Sequence, residues 1–276
     1  MKREISKEEA EFLKSYNIKD FDRPSVTADI VAFAMRNIED ESWRKDNKES
    51  HLAILLIKRG QYPYKNEWAL PGGFVRMDET LEECAIRELK EETNVSPASI
   101  MLTGVYSGID RDPRGRIISN AYTTIISEDD AKIIGGDDAL EAKWFYINLD
   151  KVSDDEYVLG LENGDIHLKS TLRRSKKMYG SYAYEIMDAG NIAFDHAIII
   201  TSALMQLREK VERFDKLFDF LPENFTLAQL QNVQETVLNV SLLTANFRRK
   251  IAPYVEELDE FTSGAGHRPA QLFRRK

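Results

Sequence analysis

The 276-residue chain carries 47 acidic against 38 basic residues, a net charge of −9 that argues against bulk attraction to nucleic acid or an anionic membrane and leaves room for a small basic patch. A single cysteine, Cys84, excludes an internal disulfide and fits a reducing cytoplasm. With no signal-like amino terminus and no apolar run near ~18 residues, the sequence reads as a soluble cytoplasmic protein of about two domains, with no membrane partner.

Strand patterns come first, at Ala28–Met35 and Leu52–Ile57, separated by a charged loop at Asn37–Ser50; the second runs into Lys58-Arg59-Gly60. In Trp68-Ala69-Leu70-Pro71-Gly72-Gly73-Phe74, the paired glycines let the backbone approach a ligand where a side chain would obstruct it. Thr80, with Glu83 three residues on, then predicts the capping box of a helix. That helix carries an apolar stripe of Ala85, Ile86 and Leu89. Beside it stand Glu88, Glu91 and Glu92 at i, i+3 and i+4, within roughly a 100° arc. Like charges so placed cost a helix roughly 0.2–0.5 kcal/mol per pair unless something positive neutralises them. A hard divalent cation suits the pattern, because Mg²⁺ takes carboxylate oxygens and keeps water or phosphate in its other positions. For the bare spacing, a solvated acidic face is the alternative. Arg87 is placed to orient a carboxylate, Glu79 first among them, or is an ordinary surface arginine.

The segment Gly73–Val95 resembles the Nudix box, G-x5-E-x7-R-E-U-x-E-E-x-G-U, at Gly73, Glu79, Arg87, Glu88, Leu89, Glu91, Glu92 and Val95. Asn94 stands where the family has glycine. Asn tolerates the left-handed conformation that ends a helix, so it reads as a replacement cap. The resemblance implies that Glu88, Glu91 and Glu92 hold Mg²⁺ or Mn²⁺ against a pyrophosphate, with Arg87 and Glu79 completing the catalytic set. The metal would neutralise phosphate charge and lower the pKa of an attacking water.

After a strand-like Met101–Tyr106 comes Ile109-Asp110-Arg111-Asp112-Pro113-Arg114-Gly115-Arg116, then a strand-like Ile117–Ile126 that includes Tyr122. Arg111, Arg114 and Arg116 on a Pro/Gly loop suit a phosphate site, since guanidinium forks bind phosphate in pairs of hydrogen bonds; a polar hairpin loop is the plain alternative. The run DPRGR…S-x-A-Y, Lys58-Arg59-Gly60 and Asp138-Ala139 with Glu141-Ala142 and Trp144-Phe145 resemble the Nudix subgroup that acts on or binds ADP-ribose. That resemblance adds Arg59, Gly72, Gly73, Arg111, Arg114, Arg116 and Tyr122 as substrate-binding candidates. Glu141, read as lying on a loop, is a weaker candidate for a further metal ligand or general base. Trp68 or Tyr122 would stack on a base if not buried.

With a last strand at Lys143–Ile147, the order fits the α/β (α+β) class and the α/β/α sandwich with a mixed sheet that the resemblance implies. Residues 151–190 read as a polar insertion with a hairpin turning at Asn163-Gly164. A long helix is expected from about Ile192 to Phe218. Its apolar spacing (Ala193, Ala197, Ile200, Leu204, Leu207, Val211, Phe214, Phe218) fits either a core-packed closing helix or a coiled-coil seam. His196 reads as a hydrogen-bonded structural histidine.

Leu221-Pro222 is expected to break that helix, dividing a first domain (1–220) from a second (221–276). The second reads as a capped helix from Thr226, a turn at Asn239–Ser241, a helix Leu242–Ala252 and strands Tyr254–Phe261 and Gln271–Arg275 around a glycine-rich tip. This is the pattern of a winged helix-turn-helix, whose second helix enters the major groove. From Pro222 onward seven basic residues face six acidic ones, and the bases concentrate on the second helix and the tip. Asn246, Arg248, Arg249, Lys250, His267 and Arg268 are the DNA-binding candidates. A small dimerisation module is the alternative.

The whole layout resembles the Nudix-related transcriptional regulators of NAD metabolism over roughly residues 24–276. The resemblance implies an ADP-ribose-like effector, a double-stranded DNA operator and a homodimer. Members often carry damaged boxes, whereas the glutamates here are intact, which leaves hydrolysis open. The competing expectation is a dedicated Mg²⁺-dependent ADP-ribose pyrophosphatase whose carboxy-terminal domain serves assembly alone.

Overall fold

The computed structural model describes residues 5–37, 50–127, 139–176, 182–262 and 269–276. It opens with α1 (Lys7–Ser15), capped by the Ser6 side chain and with no buried residue; the sequence reading assigned nothing there.

The strands are β1 (Ser25–Asn37), β2 (Ser50–Arg59), β3 (Trp68–Ala69) and β4 (Gly72–Phe74), followed by α2 (Leu81–Thr93). Next come β5 (Met101–Tyr106), β6 (Ile117–Ile125), β7 (Ala139–Lys151), β8 (Glu156–Asn163), β9 (Ile166–Lys176) and β10 (Tyr182–Asp188). They form one sheet in the order β10-β9-β8-β7-β2-β1-β6-β5, with β3 on β2 and β4 on β1. β1 runs parallel to β6 and antiparallel to β2, so the expected mixed sheet is present.

Alternation along β1 divides the core. Ala28, Ile30, Ala32 and Ala34 meet Cys84, Ala85 and Leu89 of α2 on one face. Val31, Phe33 and Met35 meet Ala197, Ile200, Leu204 and Leu207 of α3 (His196–Glu212) on the other. Both faces are covered, which is why β1 is so nearly continuous in apolar residues. α2 keeps its capping box, with Thr80 and Glu83 bonding each other's backbone N–H, and ends on Asn94 in the left-handed region at φ 60°. An asparagine therefore does here what glycine does elsewhere.

Two expectations need correction. Residues 151–190, expected as a polar insertion, are partly apolar: β8, β9 and β10 extend the main sheet, and Leu159, Leu161, Leu168 and Leu172 join its core. The expected hairpin is present, with Asn163 paired to Ile166 and Gly164 at φ 54°. The long helix is also shorter than its apolar spacing suggests. Phe194 at φ 54° delays its start, and Phe214 at φ 64° ends it well before Leu221-Pro222. The N–H of Phe214 bonds Val211 O and that of Asp215 bonds Lys210 O, a Schellman ending with phenylalanine in place of glycine. A bulky residue there costs about 1–2 kcal/mol. The Phe214 ring packs 5.2 Å from that of Tyr254, which offsets the cost.

The remaining elements are α4 (Leu227–Leu238), α5 (Thr244–Ile251), β11 (Val255–Phe261) and β12 (Gln271–Arg275), with β11 antiparallel to β12. Helix, turn, helix and hairpin thus form the expected winged helix. Its interior residues Leu230, Val233, Val237, Phe247, Ile251 and Val255 are continuous with the core under α3.

Candidate active site and nucleic-acid interface

Of the box residues, Gly73, Glu88 and Glu92 line a cavity of about 510 Å³, while Glu79, Arg87 and Glu91 lie outside its lining; its walls also include Asp29, Arg59, Gly72, Phe74, Arg76, Arg111, Asp112, Arg114, Phe194 and His196. Its floor is the β1–β4 pairing, where Asp29 lies opposite Gly72 and Ala28 opposite Gly73. Crowding by backbone forces glycine at position 72, and a side chain at position 73 would displace the Glu88 carboxylate from its place. A Cβ on Gly72 would collide with Asp29 and the Ala28 carbonyl, and one on Gly73 with the Glu88 carboxylate.

Helix α2 supplies the acids at one edge. Glu92 accepts from the Gly72 N–H at 3.0 Å, and burial pushes its carboxyl up to about 8. Glu88 is raised as well, again by burial, although Arg87 Nη1 donates to it at 2.6 Å. Arg87 ties the acids together: its Nε and Nη2 donate to the two oxygens of Glu79 at 2.8 and 2.6 Å, and Nη1 reaches Glu91 at 3.0 Å. Those bonds hold Glu79 down at about 2. Glu91 is half-exposed and also paired with Arg76 at 3.4 Å.

Among the described residues no three acids, histidines or cysteines converge into a ready-made metal cage. Mg²⁺ does not require one, because it binds through one or two carboxylates and fills its remaining positions with water and phosphate. Glu88 and Glu92, whose carboxyls are both raised by burial, fit such a cation.

Across the cavity the arginines differ in freedom. The Arg111 fork is committed to Asp195, with Nε to Oδ2 at 2.9 Å and Nη2 to Oδ1 at 2.6 Å. That of Arg114 is held by Asp112 at 3.0 and 2.7 Å. Arg59 differs: its Nε donates to Pro63 O at 2.8 Å and its guanidinium lies 4.8 Å from the Phe194 ring centre. Its Nη1 and Nη2 have no protein partner among the described residues. A half-buried guanidinium with two open donors is an anion-binding group.

Three substrate or metal candidates lie elsewhere. Arg116 braces its own loop, donating to the carbonyls of Ser107 and Gly108 at 3.0 and 3.1 Å. Strand alternation turns Tyr122 to the α2 face, where its hydroxyl meets Glu82 at 3.1 Å. Glu141 is in strand β7, not on a loop, beside Lys58 of β2 and ion-paired with Lys143. Trp68 is buried edge-on against Phe145. Conversely, sequence reasoning passed over Asp29, Asp112, Phe194 and Asp195. A lone acid inside the apolar run of β1 was the available signal for Asp29, which takes the Ser119 hydroxyl and is raised by burial. His196 accepts from the Leu70 N–H at 2.9 Å, and burial lowers it to about 4; it is structural, as expected.

In the winged helix, Asn246, Arg248, Arg249 and Lys250 are all exposed on α5, while Phe247 and Ile251 anchor it. Successive positions thus present one polar, largely basic surface and bury the other. His267 and Arg268 lie outside the described residues.

A NUDIX domain model matches residues 43–161, and a model of the NrtR DNA-binding winged helix domain matches residues 217–275. The ADPR responsive transcriptional repressor NtrR of Acinetobacter baylyi is 30% identical over 274 residues, 98% of this chain and 89% of that protein. The ADP-ribose pyrophosphatase of Methanocaldococcus jannaschii is 50% identical over 104 residues, 38% of this chain and 57% of that protein. Among solved structures, Shewanella oneidensis NrtR complexed with a 27mer DNA superposes with a TM-score of 0.58 at 25% identity, covering 91% of this chain and 93% of that one. Nudix hydrolases work with divalent metal ions. The chain belongs to the NrtR family of Nudix-related transcriptional regulators, in which a Nudix domain is joined to a DNA-binding winged helix.

Proposed function

We propose that this protein is an ADP-ribose-responsive transcriptional regulator that also retains Mg²⁺- or Mn²⁺-dependent hydrolysis of its effector. The observation that carries the reading is the facing of two sets of groups in one cavity: the Nη donors of Arg59, and the carboxylates of Glu88 and Glu92, raised by burial. A pyrophosphate suits both, since its oxygens accept from the guanidinium and would complete the coordination of a cation held by the carboxylates. The cavity of about 510 Å³ is of the size that holds small molecules.

In this reading residues 1–220 bind the nucleotide and residues 221–276 bind an operator as part of a cytoplasmic homodimer. Glu88 and Glu92 would hold the cation, with Glu91, paired to Arg87 and Arg76, as the third carboxylate beside them. Arg87 keeps Glu79 and Glu88 in place. Arg59 receives the phosphates, Arg114 reaches them only with the part of its guanidinium that Asp112 leaves open, and Arg111 positions the wall. When bound, the cation neutralises phosphate charge and acidifies the attacking water. Water adds to a phosphorus as its bond to the bridging oxygen breaks, giving AMP and ribose 5-phosphate. On the operator side Asn246, Arg248, Arg249, Lys250, His267 and Arg268 contact the duplex.

The test has two arms. Purified protein with Mg²⁺ is expected to convert ADP-ribose to those products, and to lose that turnover in chelator. Gel-shift with duplex from upstream of its own operon is expected to give a complex that ADP-ribose alters. No complex at low salt would remove the regulator reading and leave the dedicated pyrophosphatase; no turnover would leave a sensor without catalysis.

A further inference from the structure

Two elements span the molecule from the cavity to the winged helix. β2 enters the cavity at Ile57 and Arg59, and at its other end the Ser50 carbonyl accepts from Thr236 of α4 at 3.3 Å. α3 begins at the cavity. Phe194 and His196 line it, and Asp195, its N-cap, holds Arg111 in the wall. At the far end Arg208 Nε donates to Val237 O at 3.0 Å, and Gln234 Nε2 donates to Val211 O at 3.3 Å. Just beyond, Phe214 packs on Tyr254 at the base of the wing.

The two spans differ in what holds them. β2 is hydrogen-bonded to β1 on one side and β7 on the other, so moving it breaks a ladder. α3 keeps its backbone bonds internal and rests on the sheet mainly through apolar side chains such as Ala197, Ile200 and Leu204. A helix held in that way can shift by about 1–2 Å as a unit. Its near end is tied to the cavity wall, where the Arg111 fork holds Asp195 and the Leu70 N–H donates to His196 Nδ1 at 2.9 Å. Asp195 makes no side-chain cap bond because its carboxylate is given to Arg111, and Phe194 sits at φ 54°, a costly conformation for an aromatic residue. An anion that draws on Arg111, or a ligand that presses the Phe194 ring, therefore acts on the first turn of a 17-residue helix, a lever about 25 Å long.

We propose that α3 transmits occupancy of the cavity to the winged helix, with Arg208 and Gln234 as the positioning residues that couple its far end to α4. This rests on the ligand-responsive reading above. It predicts that cutting the far-end bonds removes the response without removing either binding event.

The experiment uses the full chain, α,β-methylene ADP-ribose, which resists hydrolysis, and a duplex from upstream of the operon. Duplex affinity is measured by fluorescence anisotropy and nucleotide affinity by calorimetry. In the unaltered protein the nucleotide is expected to shift duplex Kd by about 5- to 150-fold, the usual span of allosteric coupling. Arg208→Met and Gln234→Met are expected to keep both separate affinities within about 3-fold while the shift shrinks at least about fivefold, and Arg208→Lys is expected to restore part of it. A shift of unchanged size in both methionine variants overturns the proposal. Should those variants misfold, hydrogen exchange on the unaltered chain decides: nucleotide-dependent protection along α3 and α4 supports the proposal, and a change confined to β2 overturns it. Absence of any shift in the unaltered protein overturns the ligand-responsive reading itself, and this inference with it.

Discussion

The cavity and the α5 surface, the two places proposed to meet anions, hold their charges in opposite ways. In and beside the cavity the ionisable groups are largely withdrawn from solvent and tied to one another: Arg87 to three glutamates, of which Glu91 is half-exposed, Arg111 to Asp195, and the more exposed Arg114 to Asp112. On α5, Arg248, Arg249 and Lys250 stand in solvent, and the neighbouring polar contact is a long 3.4 Å bond from Arg249 to Asn246. Buried charges carry a desolvation cost that a ligand relieves, so they discriminate strongly and respond little to salt. Exposed bases cost little to keep and act through counterion release, so their binding is general and salt-dependent. The one chain thus has a chemically selective site and an electrostatic one, and substitutions in each should fail differently.

The largest expected effect is at Glu92. Glu92→Gln keeps the bond from the Gly72 N–H but removes the cation's ligand, so Mg²⁺-dependent turnover should fall by at least about 100-fold while duplex affinity stays put. Unchanged turnover would sink the metal assignment. Next, Arg59→Ala removes the open donors, and ADP-ribose affinity by calorimetry should drop roughly 10- to 100-fold, as for a charge-assisted hydrogen-bond pair. An unaltered affinity would mean that the phosphates lie elsewhere. On the electrostatic side Arg249→Ala should cost about 1–3 kcal/mol in duplex binding if it reads a base edge, or lower the salt slope by about 1 if it contacts phosphate. Nucleotide turnover should not change in either case. A loss of turnover would erase the distinction between the two regions.

The smallest effect is on stability. With Glu92 raised to about 8, the folded chain keeps a proton above pH 4.5 that the unfolded chain releases, so stability falls as pH rises toward 8. His196, lowered to about 4, acts in the opposite sense but only below its ordinary value of 6.5. Between pH 6.5 and 8 the Glu92 effect stands apart from that of His196. In chelator Tm should decline across that window, by at most about 2 kcal/mol or a few degrees, and Glu92→Gln should flatten the decline. A wild-type Tm that does not fall would show that Glu92 is already ionised.

Local rules fixed what was local. The spacing of Glu88, Glu91 and Glu92, the Thr80 and Thr226 capping boxes, the Asn94 cap and the helix-turn-helix-hairpin order were all legible, because each depends on residues a few positions apart. Helix α3 was legible in kind but not in length. Apolar spacing runs on through Phe214 and Phe218, and only packing against Tyr254 makes the left-handed break at Phe214 tolerable. The role of residues 151–190 was hidden for a related reason: their strands are half-exposed, and whether they stand apart or extend a sheet depends on which edge is open to receive them.

By itself the sequence determined the chemistry available: three glutamates on one helical arc, arginines on a loop after β5, and an exposed basic helix held by Phe247 and Ile251. The tertiary structure decided which of those groups remain free. Arg111 and Arg114 looked equivalent to Arg59 in sequence, yet Asp195, 84 residues from Arg111, claims the first and Asp112 the second. Asp195 meets Arg111 only once the sheet and α3 have packed, whereas Asp112 stands two residues from Arg114 and pairs with it locally. Because the Arg111 pairing is long-range, the identity of the unspent donor was not legible along the chain.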